Sequence, residues 1–251
     1  LCHQRIALLP EQVAKLSESC YRKFADILIM NNETKTYLSR AVDILKANPN
    51  PLIPPAVIGV LFYIPTNSDQ KLGSIYFLPM LVLFVIMPLI YGQYIEIINN
   101  NRKLPYIQIF NAHWFNFFVV SLCLVIPILI FMMCGLFFGL PVFGLGQILS
   151  IVIDILSIYI LPLVFLLRKR FSCIPLGIKC LVGNFKFSRP LIFLAMVPTI
   201  LHLLNIQPSD ATAASLPFLF LNYIFFVFSL IIDMVIFIAA GLILKEKLLQ
   251  I

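Results

Sequence analysis

The sequence predicts an all-α, polytopic transmembrane helical bundle. It has about six spans arranged as three hairpins, preceded by interfacial amphipathic helices, with both termini cytoplasmic. Composition is the first observation behind this: 61% of the 251 residues are hydrophobic, only 12% are charged and 23 are Phe, with a mean hydropathy of +1.00. Soluble domains run near half apolar and a quarter charged, so an ordinary cytosolic enzyme, a disulfide-stapled module and a disordered tail are excluded. Segmentation is the second. A bilayer core of about 30 Å takes about 20 helical residues to span, and apolar segments lie at 49–65, 73–95, 114–136, 148–167, 190–206 and 216–244.

The basic residues supply the third observation. Before the first segment stand Arg5, Lys15, Arg22, Lys23, Lys35, Arg40 and Lys46, and Arg102 and Lys103 follow the second. After the fourth come Arg168, Lys169, Arg170, Lys179, Lys186 and Arg189, and the tail adds Lys245 and Lys247. The opposite loops hold only Lys71, so 17 of 18 basic residues fall on one side, which the positive-inside rule assigns to the cytoplasm. The net charge of +7 thus follows the membrane rather than gathering on one soluble face, and nucleic acid is not an expected partner. Cys2, Cys20, Cys173 and Cys180 fall on the same reducing side, with Cys123 and Cys134 inside segment three, so no exported disulfide is expected.

Residues 1–48 form a cytoplasmic or interfacial region ahead of the six-span domain at 49–251, and they show no basic stub and apolar core of a cleavable signal peptide. Between Pro10 and Met30, Val13, Leu16, Cys20, Phe24 and Ile27 recur at helical spacing, with Pro10 and Glu11 as start signals. A second stripe of Tyr37, Leu38, Ala41, Val42 and Leu45 stands opposite Lys35, Arg40, Asp43 and Lys46. Such a helix suits the headgroup layer, as an anchor or as a docking surface.

The chain also reads as three units, 33–98, 104–167 and 174–244, each an interfacial helix followed by a hairpin. Segment two ends in Met87-Pro88-Leu89-Ile90 and segment four in Leu161-Pro162-Leu163-Val164. After each come a basic cluster and a helix-opening proline, Pro105 and Pro175. In the last unit Ile174, Ile178, Leu181, Val182 and Phe185 share a face. This order of amphipathic helix, hairpin and basic loop, clearest from Pro88 to Phe110, resembles bacterial six-span inner-membrane proteins of the YciC type over residues 34–245. The resemblance implies a multi-pass inner-membrane protein and carries no catalytic residues or cofactor.

An ionisable group at bilayer depth is costly, which makes it a functional candidate. At about 1.5 Å per residue, Asp154 lies roughly 20 Å from the cytoplasmic end of segment four, His202 roughly 18 Å along segment five, and Asp233 roughly 17 Å from the end of segment six. The three share a depth with no intramembrane Lys or Arg. They suit a proton relay or cation site, or else helix association through Tyr159, Asn222 or backbone carbonyls. Glu96 falls within reach of Arg102 or Lys103 for an interfacial ion pair, and His113 and Trp114 start segment three in an aromatic belt. Prolines 79, 88, 127, 162 and 198 are expected to kink their spans, and the uncharged turn from Cys134 to Gln147 reads as a tight hairpin or a re-entrant loop.

The zinc-protease His-Glu-x-x-His and the Gly-x-Ser-x-Gly elbow do not occur, and Gly144-Leu145-Gly146 lacks the third glycine of a dinucleotide fingerprint. The resulting expectation is a non-catalytic accessory or scaffolding subunit of a membrane complex, with membrane lipids and other subunits as partners and no cofactor. Arg102, Lys103, Arg168, Lys169 and Arg170 are the candidate anionic-lipid or partner contacts. The competing expectation is a small transporter or proton-conducting protein using Asp154, His202 and Asp233.

Overall fold

A computed structural model of the chain describes residues 32–61, 72–100, 102–137, 142–204 and 216–248. The amphipathic stretch from Pro10 to Met30, the Lys71 loop and the turn around Gly139 lie outside these residues. All regular structure among the described residues is helical: α1 (Asn32–Ala47), a 3-10 turn (Asn50–Leu52), α2 (Ile53–Val60), α3 (Leu72–Asn100), α4 (Tyr106–Phe137), α5 (Val142–Leu167), α6 (Cys173–Gly183), α7 (Phe185–Leu204) and α8 (Leu216–Ile243), closed by a π-helical turn over Leu244–Leu248.

Three stretches, Leu81–Asn100, Tyr106–Gly135 and Phe220–Lys247, are long and apolar enough to cross a membrane, and the bent pair α6–α7 makes a fourth if counted as one span. The chain is therefore a multi-pass membrane protein by length and composition. α8 is the central element: 78% of its spanning window is buried in the bundle, against 12% for α4. From Ile232 to Leu244 it is buried at nearly every position, which a helix apolar all round achieves only inside other helices. α1, α3, α5 and α7 all pack on it.

The basic end is fastened by polar contacts between distant segments. α1 buries Tyr37, Ala41 and Leu45 against the bundle, and its Arg40 donates to both Glu246 oxygens at 2.9 and 2.7 Å. Lys245 Nζ reaches the carbonyls of Ile98 and Asn99 at 2.8 and 3.3 Å, capping α3 as a cation at a helix C-terminus should. The Tyr94 hydroxyl donates to the Asn48 carbonyl at 2.8 Å, holding the α1–α2 connection. The second amphipathic stripe thus docks on α8 rather than resting on lipid alone. The Glu246 hydrogen bond raises the Arg40 pKa above its ordinary value. Because the pair is exposed, Arg40→Ala is expected to cost about 0.2–1 kcal/mol in thermal unfolding, and a larger loss would mean that Arg40 positions α1.

Two expectations are revised. The second unit has no separate interfacial helix. Pro105 opens α4, and nothing between Tyr106 and Trp114 breaks it, so the helix runs unbroken for 32 residues. The third unit does have a separate short helix, α6, because the chain turns by 104° at Asn184 between α6 and α7. There the buried face is Cys173, Gly177, Cys180 and Leu181, while Ile178, Val182 and Phe185 of the expected stripe are exposed. Small residues explain this choice, since a Cβ on Gly177 would stand 2.5 Å from Ile160 Cγ1, so only glycine lets α6 lie so close to α5. The helices continue through Pro88, Pro127, Pro162 and Pro198.

Candidate functional site

Tyr91 on α3 lies at the meeting point of the two polar groupings in the bundle. Its ring packs 4.4 Å from Phe237 of α8, 6.0 Å from Phe165 of α5 and 6.1 Å from Phe117 of α4. Gly92 beside it lets α3 lie close to α4, because a Cβ there would run into the Ile109 side chain. On one side of Tyr91 are the acids of α5 and α8, and on the other is a charge cluster at the basic end.

Asp154 and Asp233 come from facing helices and lie within electrostatic reach of one another and of the Tyr91 hydroxyl. Both side chains are exposed. Neither carboxylate makes an ion pair or hydrogen bond among the described residues; Ser157 donates to the Asp154 backbone carbonyl, not to its side chain. The partners considered for them are otherwise placed. The Tyr159 hydroxyl pairs with Ser188 Oγ at 3.4 Å, and Asn222 Oδ1 is buried with no partner among the described residues. A carboxylate facing hydrocarbon is costly, so two exposed acids, Asp233 in the spanning stretch of α8 and Asp154 in the apolar α5, call for water, a bound cation or a neighbouring protein beside them. The helix carrying His202 is described, but its side chain lies outside the described residues.

The second grouping is one whose members looked ordinary in sequence. Glu96 of α3 is buried and accepts from Asn100 Nδ2 at 2.8 Å. Arg168 reaches it at 3.5 Å from the α5–α6 loop, and the buried His113 Nε2 stands 3.9 Å away. The expected pairing with Arg102 or Lys103 is replaced by Arg168. Helix α5 ends so that Arg168 takes a left-handed φ of 52°, a place usually held by glycine or asparagine. Asn116 of α4 secures that turn by donating to the Arg168 carbonyl at 3.2 Å while accepting from Arg170 Nε at 2.8 Å. Gln93, one turn before Glu96, donates to the Leu104 carbonyl. Gln93 Oε1 and His113 Nδ1 are buried with no partner among the described residues. A buried carboxylate with a guanidinium on one side and an imidazole on the other ties three segments together.

Of the three residues expected at one depth, Asp154 and Asp233 stand within electrostatic reach of one another and of Tyr91, and the side chain of His202 lies outside the described residues. Tyr91 carried no sequence signal, being one tyrosine among nine in an apolar run. No group of three or more His, Cys, Asp or Glu suited to a metal ion occurs among the described residues. The chain matches no protein-family model, no curated protein and no solved structure, so the site stands on its geometry.

Proposed function

We propose that this chain is a non-catalytic integral membrane protein that acts as an accessory or scaffolding subunit of a larger membrane assembly. Six spans arranged as three hairpins, both ends of the chain on the cytoplasmic side and residence in the inner membrane belong to this reading, and the YciC-type resemblance points to the same membrane. The observation that carries it is the second half of α4. From Ser121 to Cys134 no described side chain is buried, and Leu129, Ile130 and Met133 are 53%, 58% and 72% exposed. Fourteen helical residues cover about 21 Å, some two thirds of a bilayer core, and this chain gives them little to pack against. Association of spanning helices is driven by packing, which makes such a surface a place for a partner's helix.

Purification in mild detergent through a C-terminal tag tests the reading, followed by mass spectrometry of what copurifies. A constant set of partners in stoichiometric amount is expected, and a photo-crosslinking residue at Leu129 should capture one of them. A lone chain or a homo-oligomer would overturn it.

A second reading, passage of a proton or small cation, is favoured by Asp154 and Asp233 with the Tyr91 hydroxyl beside them. Asp154→Asn and Asp233→Asn are then expected to abolish a pH-driven dye response in liposomes while partner retention is unchanged. Loss of the partner with no flux to lose would instead assign the acids to assembly.

A further inference from the structure

Two arginine–phenylalanine pairs stand at the two ends of α6. Before it, the Arg170 guanidinium lies 4.3 Å over the Phe115 ring. After it, Arg189 lies 5.4 Å over Phe185. The turn of 104° into α7 sets α6 across the direction of its neighbour, so where α7 runs with the membrane normal α6 lies close to the membrane plane. One face of α6 is buried in the bundle through Cys173, Gly177 and Cys180. The other is an apolar ridge, with Val182 69% exposed and Phe171, just before the helix, 62% exposed.

Arg170 is held in place. Its Nε donates to Asn116 Oδ1 at 2.8 Å, and its ring partner fixes the plane of the guanidinium, so the two terminal nitrogens are left unengaged among the described residues. A guanidinium in that state presents paired donors to a phosphate. Lys169, Lys179 and Lys186 are exposed around it, and no acidic residue occurs between Arg168 and Arg189 to neutralise them. Positive charge next to exposed Phe and Val side chains matches a ligand with a negative head and an apolar tail.

We propose that α6 and its flanking loop, from Arg168 to Arg189, form a binding site for the headgroup of an anionic phospholipid. Arg170 and Arg189, at opposite ends of α6, each meet a headgroup phosphate, and the Phe171–Val182 ridge lies along the acyl chains between them. Charge complementarity selects the headgroup and the ridge selects a lipid over free phosphate, which has nothing to place there. The inference needs α6 at a membrane surface but is independent of whether the chain is an accessory subunit.

The test uses the full chain in detergent, titrated with phosphatidylglycerol or phosphatidylcholine and read by native mass spectrometry of retained lipid. Phosphatidylglycerol should be retained preferentially. Arg170→Gln and Arg189→Gln should each weaken that retention about fivefold, the worth of one basic residue at an anionic surface. Lys46→Gln, an equal loss of charge on α1, should leave it unchanged. Equal retention of the two lipids overturns the proposal. So does a Lys46→Gln loss as large as that of Arg170→Gln, which would mean unspecific charge, or displacement of phosphatidylglycerol by inorganic phosphate alone. If Arg170→Gln alters the elution profile, Arg189→Gln decides the matter, because Arg189 makes no hydrogen bond among the described residues.

Discussion

Replacing Phe165 by alanine is expected to destabilise the bundle by about 3–5 kcal/mol, the range for removing a buried aromatic side chain. Phe165 is 1% exposed, and its ring centroid lies 6.0 Å from Tyr91, 6.0 Å from Phe117, 5.8 Å from Phe237 and 5.1 Å from His113. It therefore touches α3, α4 and α8 from α5, and the Phe237 ring meets it nearly edge-on at 88°. Aromatic pairs of this kind contribute about 0.5–1.5 kcal/mol beyond the area they bury. The cavity left by alanine would be walled by four helices that cannot all close inward. The chain has one tryptophan, Trp114, stacked between Phe110 and Phe118 at 5.2 and 5.3 Å next to His113. Its fluorescence during thermal unfolding in detergent reports the change directly. Phe165→Leu should recover most of the loss, and a small effect from alanine would show that the aromatic cluster is not a point of strain in the core.

The second large effect is expected at Gly177. Alanine there would place a Cβ 2.5 Å from Ile160 Cγ1 and 3.0 Å from the Ile160 Cα and N. Ile160 itself is fully buried. The side-chain contact could yield by rotation, but the backbone contacts yield only if α6 moves off α5, so Gly177→Ala should cost about 1–3 kcal/mol. Gly183→Ala is the matched control, because a Cβ there meets nothing within 4 Å. Comparable melting temperatures for the two variants would mean that α6 is not seated as closely as its buried face indicates.

Helix location was legible in the sequence because hydropathy is a local property. The bounds of α3, α5 and α8 follow runs such as Leu81–Ile98 that no soluble helix would carry. The count of crossings was less legible, since α2 is only eight residues long and α6–α7 is sharply bent, so neither is a plain span. The distances of Asp154 and Asp233 along their helices were readable from the 1.5 Å rise alone. Their nearness to Tyr91 was not, because it depends on how α3 sits between α5 and α8. Glu96 was seen as an ion-pairing residue with the wrong partner: local charge favoured Arg102 and Lys103, while the left-handed turn at Arg168 delivers a guanidinium from a distant loop. The buried face of α6 was missed for a related reason. On a helix apolar on both sides hydrophobicity does not choose the inner face, and the small residues Cys173, Gly177 and Cys180 were the signal that did.

Fastening is unequal along the length of the bundle. The contacts of Arg40, Lys245, Tyr94 and Arg168 all gather where α1, α3, α5 and the end of α8 meet, whereas between Val120 and Gly135 no described residue of α4 is buried. Such a molecule behaves as a fan riveted at one edge. Its backbone amides should exchange with deuterium slowest near the rivet and fastest along the second half of α4. Loosening of α4 beyond Val120 is thereby expected to cost less than unfolding of the riveted end, so that a neighbour could be accommodated there while the polar joints stay closed.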